Sequence, residues 1–348
     1  AGAWWALPAS FVSVAVINRV SNRVLLVPLA RHTYFLAVAS GLTQLAFYAA
    51  WFGWSRRQGL VTPAMERFAR ARAGLLAAFG ALEGAFFPLV FYAAAHLPGG
   101  LVQVLNQTLI PCTVLFSALL LRRKYDNLQL MGVAVVIAGV LLVAVAPNAN
   151  HPPTLHPQNV YVALCVGAYA LMAMAMVVKE VVFLRYRKWI RDRAPEAERE
   201  PEGAGDPPLD ISLFLAVSTL ARVVVLLIGW PLFLFVECPS LSVQQSAAAG
   251  TAALFSPGVL RLAALYWACN AGVSVTAILM VRRMSAAATV LANVVALPLS
   301  ALLFSCHLPG LPPQAFQWTF VGSLVLVVFG NLLYSHNVLQ KTSRRPEG

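Results

Sequence analysis

Long apolar runs recur along nearly the whole chain, and they are continuous rather than alternating. Each is close to the roughly 20 residues that a helix needs to cross the hydrocarbon core of a bilayer. The pattern predicts ten spans: 4–29, 34–54, 73–96, 99–121, 128–146, 159–183, 210–236, 259–281, 285–305 and 314–335. Helix is predicted because hydrocarbon cannot satisfy exposed backbone groups. A membrane barrel would instead alternate apolar and polar positions along its strands. One low-complexity polar segment interrupts the pattern, RDRAPEAEREPEGAGDPPLD, from Arg191 to Asp210. It reads as a flexible linker. The predicted fold class is an all-α polytopic membrane protein.

Composition sharpens this reading. Of the 348 residues, 59% are hydrophobic and 11% charged. A soluble domain has roughly 45–50% apolar and about 25% charged residues. A soluble enzyme, a disordered chain and a disulfide scaffold are excluded.

The net charge of +12 would suggest nucleic acid in a soluble protein, but the positions of the charges give another account. Arg56, Arg57, Arg67, Arg70 and Arg72 fall between spans 2 and 3, and Arg122, Arg123 and Lys124 between 4 and 5. Arg185, Arg187, Lys188, Arg191, Arg193 and Arg199 fall between 6 and 7, Arg282 and Arg283 between 8 and 9, and Lys341, Arg344 and Arg345 after span 10. With ten spans, all of these share one side. The other side holds Arg31, with Arg261 at a span edge. The positive-inside rule then places both termini in the cytosol. The basic residues are topological determinants that also meet anionic lipid headgroups, and no nucleic-acid partner is expected.

The two halves of the chain share a pattern. Asn106 and Pro111 in span 4 match Asn293 and Pro298 in span 9, each pair offset by 187 residues. Gly132 matches Gly322 in the following spans at an offset of 190. A five-span unit has an odd number of crossings, so its second copy lies upside down in the membrane. Inverted repeats of this kind build secondary transporters, with the substrate site near the midplane between the halves. The predicted units are 1–147 and 148–348, the second carrying a cytosolic linker at about 185–209.

Ionisable groups at membrane depth are expensive and mark functional sites. They are Arg19, Glu83 and Arg222 at mid-depth, Arg23 in the outer half of span 1, and Lys179 and Glu180 near the end of span 6. Amides at depth are Asn18, Gln103, Asn106, Gln107, Asn270 and Asn293. A water-filled cavity lined by the six ionisable groups would carry about +2 and favour an anionic or zwitterionic solute. Three blander readings stand beside this one. Arg222 and Glu83 form a structural bridge, Lys179 and Glu180 snorkel to the interface, and the amides are helix–helix hydrogen bonds. If Glu83 couples transport to protons, desolvation must outweigh its arginine neighbours.

None of the other chemistry-bearing residues builds a centre. Cys112, Cys165 and Cys269 sit in apolar stretches and read as small core residues, while Cys238 and Cys306 lie at helix ends where they could pair. No histidine lies deep in a span, so no metal site is expected. His32, His96, His151, His156 and His307 fall on the non-cytosolic side. There is no GK[ST] phosphate loop, no GxSxG and no HExxH, so no enzyme and no nucleotide-driven pump is indicated.

Four stretches resemble the chloroquine-resistance-transporter-like family of the drug/metabolite transporter superfamily. They are NRVSNRVLLVPLARHTYFLA (Asn18 to Ala37), LPGGLVQVLNQTLIPCTVLFSALLLRRKY (Leu97 to Tyr125), VVKEVVFLRYRK (Val177 to Lys188) and SAAATVLANVVALPLSALLF (Ser285 to Phe304). LPG followed by LNQT is especially like the plant plastid members. The resemblance implies two inverted five-helix repeats, alternating access and no nucleotide cofactor. It also implies that Asn18, Arg19, Asn106 and Gln107 lie on cavity-lining helices, and that Lys179 and Glu180 are the pair ending the sixth helix. The chain departs from the family in the loop at 237–258, where Cys238 is alone.

The expected function is secondary transport of a small anionic thiol peptide, such as glutathione or γ-glutamylcysteine, across a plastid envelope. Arg19 and Arg222 would pair substrate carboxylates, and Asn106, Asn270 and Asn293 would hydrogen-bond the peptide backbone. The alternative is a proton-coupled exporter of amino acids, peptides or cationic drugs from a vacuole.

Overall fold

An apolar segment in lipid keeps its backbone hydrogen bonds only by coiling on itself, and most of the described residues do so. A computed structural model describes residues 6–145, 157–192, 209–283 and 318–343, with 292, 293, 295–297, 299, 300, 303 and 304. The long helices are α1 (Ala6–Leu26), α2 (Thr33–Arg57), α4 (Ala73–His96), α7 (Asn127–Val145), α8 (Pro157–Arg191), α9 (Ile211–Glu237), α11 (Val259–Arg283) and α12 (Trp318–Ser343). The shorter ones are α3 (Pro63–Ala71), α5 (Gly99–Leu105), α6 (Leu109–Leu121) and α10 (Val243–Leu254). No strand occurs among the described residues. Six helical segments are long and apolar enough to cross a membrane: Thr33–Arg57, Ala73–His96, Gly99–Leu121, Asn159–Arg191, Ile211–Glu237 and Val259–Ala277. Shorter apolar helices cover Asn127–Leu142 and Val321–Tyr334.

The structure departs from the sequence-based expectation in four places. The run at 99–121 is interrupted by a 3₁₀ turn at Asn106–Thr108 that separates α5 from α6. Pro111 follows within the first turn of α6. It has no N–H to offer the Gln107 carbonyl, and its ring crowds that oxygen. α8 runs on to Arg191, so the linker expected from about 185 begins as helix. That extension is held by Phe68 of α3, whose ring meets Tyr186 at 5.0 Å and Trp189 at 5.7 Å.

The other two departures are α3 and α10, which are too short to register as spans. Thr62 caps α3, accepting from the Met65 N–H. Ser242 and Gln245 form a capping box on α10. Most of span 9, together with Pro298 and Cys306, lies outside the described residues.

Packing follows small residues. α7 crosses α12 where Gly132 faces Gly330 and Gly139 faces Val327. α4 crosses α9 where Gly80 and Gly84 face Ser218 to Val225. Absent side chains let backbones approach, which is how helices associate in lipid. The other main contacts are α4 on α8, α1 on α11, α2 on α9 and α6 on α8. One large apolar core joins α2, α4, α5, α8 and α9. A second, around Phe68, Leu76, Phe79, Tyr186 and Phe214, fills the end where α3, α8 and α9 meet.

Candidate functional site

Span 1 places its polar residues by helical spacing. Asn18, Arg19, Asn22 and Arg23 lie three to four positions apart on α1, and so share a face. There Arg19 Nη2 donates to Asn293 Oδ1 at 2.7 Å, and Nη1 reaches Ser300 Oγ at 3.4 Å. Ser300 is itself fixed, its hydroxyl donating to the Ala296 carbonyl at 2.7 Å. Arg23 donates through Nη1 to the Ala94 carbonyl at the end of α4. Between them lies a narrow recess lined by Arg19, Asn22, Arg23, Leu26, Ala94, Gly99, Val102, Gln103 and Phe304. It has room for little more than a water molecule. The buried atoms Asn18 Oδ1, Asn22 Oδ1, Arg23 Nε and Gln103 Oε1 have no partner among the described residues. Buried polar atoms are normally satisfied. Here two cations and two amides line one recess, with hydrogen-bonding capacity unused among the described residues.

A second constellation lies across α2, α4, α8 and α9. Arg222, 3% exposed, places Nη1 at 3.6 Å from Glu83 Oε2 and donates through Nη2 to Gln44 Oε1 at 2.6 Å. Its guanidinium lies 5.0 Å from the Phe87 ring centre. Lys179 sits 5.9 Å from the Phe214 ring centre and close enough to Glu83 to interact with its charge. Two cations thus attend one half-buried carboxylate. The bridge expected between Arg222 and Glu83 is present.

The structure does not bring all the sequence-predicted residues together. Arg19 lines the recess, with Asn293 bonded to it and Asn18 on the same face of α1, while Glu83, Lys179 and Arg222 gather in the second cluster. Glu180 points away from both and pairs with Arg123 of the loop before α7. Gln107 leaves the α1 face and accepts from Asn331 Nδ2 of α12 at 3.1 Å. Asn106 is half-buried at the break between α5 and α6. Asn270 is half-buried on α11, its carbonyl accepting from the Ser274 hydroxyl at 3.1 Å. The expected single cavity lined by six ionisable groups is therefore divided in this conformation.

Sequence reasoning passes over Asn22, Gln44 and Asn331. Each is an amide within an apolar helix, the same signal that singles out Asn18 and Gln107. Among the described residues no cluster of His, Cys, Asp and Glu could hold a metal. Cys112, Cys165, Cys238 and Cys269 are free thiols.

A model of the CRT-like (chloroquine-resistance transporter-like) family matches residues 7–189 of this chain. Protein CLT3, chloroplastic, from Arabidopsis thaliana is 27% identical over 95% of this chain and 71% of its own length. Protein CLT2, chloroplastic, from the same plant is 28% identical over 93% and 74%. Protein CLT1, chloroplastic, is 25% identical over 96% and 73%. A protein of known crystal structure is 17% identical with a TM-score of 0.46, over 97% of this chain and 99% of its own.

Proposed function

Because the chain belongs to the chloroquine-resistance transporter-like family, a family of membrane transporters, we propose that it carries small anionic thiol peptides, of the glutathione or γ-glutamylcysteine kind, by alternating access between two inverted repeats. The observation that carries this reading is the contact of Arg19 with Asn293 beside Arg23, where buried donors and acceptors have no partners among the described residues. Arg19 and Arg23 receive carboxylates there, and Asn18 and Asn293 meet amides of the solute. Asn106, Gln107 and Asn270 line the path at the helix break and on α11. Arg222, Glu83 and Lys179 form its ionic floor, where a second substrate carboxylate competes with Glu83 for Arg222. Glu180 serves at the rim with Arg123.

The packing supports two repeats of the same plan, 1–147 and 148–348, in a ten-span bundle. Exchanging each helix for its counterpart turns α1 on α11 into α8 on α4, and the extensive packing of α4 on α9 into a much slighter contact of α11 on α2. It leaves α2 on α9 and α7 on α12 unchanged. It also turns α6 on α8 into span 9 on α1, where Ala296 meets Ala15 and Val16. A carrier whose halves rock about a shared site has this exchange built in.

The chloroplastic relatives support residence in a plastid envelope, and the positive-inside rule puts both termini on the side of the arginine-rich loops. No enzymatic step is needed for this function. The test is uptake of labelled glutathione by proteoliposomes holding the purified chain, with and without a pH gradient. Saturable uptake that fails in Arg19→Ala and Arg222→Ala is the expected result. Gradient-driven flux of a cationic amino acid or drug, with no glutathione uptake, would overturn it and favour the vacuolar exporter.

A further inference from the structure

α2 begins without a cap of its own. His32 stands at its N-cap position with no side-chain hydrogen bond, and its first turn has no acid. The first N–H groups of a helix have no partner within it. Here a residue 204 positions away supplies one. Glu237, the last residue of α9, accepts from the Thr33 N–H at 2.5 Å and from the Thr33 hydroxyl at 2.6 Å through Oε1. It also accepts from the Tyr34 N–H at 3.3 Å through Oε2. A carboxylate at a helix N-terminus gains from both the charge-assisted bonds and the helix dipole. The groups around it are Arg31, His32, Tyr92 and Cys238.

Deeper in the same seam, the Tyr34 hydroxyl donates to the Leu226 carbonyl at 2.7 Å. Tyr34 also packs on Phe233 at 4.8 Å. α2 and α9 are thus hinged in the interior and tied at the end.

We propose that Glu237 is a latch: its carboxylate holds the α2–α9 seam shut on the His32 face, and releasing it opens that end of the transporter. The inference rests on the transport reading for its purpose, and its test does not. When the ends part, Thr33 and Tyr34 lose their acceptor, so closure is favoured until something else compensates.

A native reporter sits beside the latch. The Cys238 thiol is half-buried and lies 3.7 Å from the Arg31 carbonyl. Its labelling by a membrane-impermeant maleimide, quantified by mass spectrometry on the full chain in proteoliposomes, reads the opening directly. Burial and the Glu237 charge both push this thiol up, so Glu237→Gln alone would speed labelling by ionisation as well as by opening. Thr33→Val keeps the charge and removes only the hydroxyl bond, and so separates the two effects.

The expected result is labelling about 10-fold faster in Glu237→Gln and about 3-fold faster in Thr33→Val, with Glu237→Asp close to wild type. Unchanged labelling in Thr33→Val, in protein whose thermal midpoint is preserved, overturns the latch. If Glu237→Gln fails to fold, Thr33→Val and Glu237→Asp still decide. Faster labelling in a chain that carries no solute would leave the latch standing and sink the transport reading. Uptake of solute with unchanged labelling would do the reverse.

Discussion

Arg19 and Asn293 meet at 2.7 Å across 274 residues of sequence. They belong to the two halves that the sequence pattern relates to one another. Arg19 is ordered by Asn293 and Ser300, while Arg23 beside it has an Nε with no partner among the described residues. A hydrogen bond to a charged group is worth about 1.5–3 kcal/mol. Arg19→Ala is therefore expected to raise KM for an anionic peptide by at least about 10-fold, and Asn293→Ala by less. The double variant should fall short of the product of the two, because the residues share one contact. Concentration-dependent uptake by the four proteins checks this, and strict additivity would disprove the coupling.

The second cluster makes a different demand. Arg222 is the only partner cation within 4.0 Å of Glu83 among the described residues; Arg222 is buried and Glu83 half-buried. Removing one member of a buried pair leaves an uncompensated charge and costs about 3–5 kcal/mol. Arg222→Leu should lower the thermal midpoint in detergent sharply. Adding Glu83→Leu should restore much of the loss, since an apolar pair of similar volume is often tolerated. The double variant should be folded and unable to transport. A double variant less stable than either single one would show that the pair holds the fold by more than charge.

Much of this arrangement is legible in the chain's apolar pattern. Span edges at 73 and 96 match α4 because a bilayer sets the length of an apolar helix and Arg72 and His96 bound the run. The polar residues of span 1 are legible for the same reason, since an arginine in hydrocarbon stands out. What a linear pattern does not supply is the partner of each group. Glu180 reads as Lys179's neighbour, yet successive helical residues lie about 100° apart, and the two side chains join different clusters. Gln44 and Glu237 escape notice for another reason. An amide in an aromatic-rich helix and an acid at a helix end look unremarkable until their partners, 178 and 204 residues away, are known. The helices α3 and α10 escape as well, because a short amphipathic helix leaves no continuous apolar run.

The glycines of α7 and α12 give a test of the packing. A Cβ on Gly132 would lie 2.7 Å from the Gly330 carbonyl oxygen, with backbone of Tyr334 equally near. Backbone of α12 cannot give way cheaply. Overpacking of this kind costs about 1–3 kcal/mol. Gly322, the residue that the sequence pattern matches to Gly132, would meet only the end of the Leu142 side chain, at 3.6 Å. Gly132→Ala should therefore lower the thermal midpoint clearly and Gly322→Ala hardly at all. Equal effects would mean that α7 and α12 do not cross at Gly132.

The break between α5 and α6 joins stability to motion. Gln107 and Thr108 are buried within it, the Thr108 hydroxyl donates to the Leu105 carbonyl at 2.7 Å, and Gln107 is tied to Asn331. Pro111 maintains the break by withholding an N–H from the Gln107 carbonyl. Restoring that donor with Pro111→Ala lets the 99–121 run approach a continuous helix, and should stabilise the protein by about 1 kcal/mol. Discontinuous helices in transporters place backbone groups at the substrate site and bend there during the cycle. A straighter span 4 is therefore expected to slow turnover about 10-fold while KM changes little. Thermal unfolding and initial-rate uptake on the same preparation check both halves. A variant that is more stable and equally fast would show that the break is a packing feature only, and would remove Asn106 from the transport path.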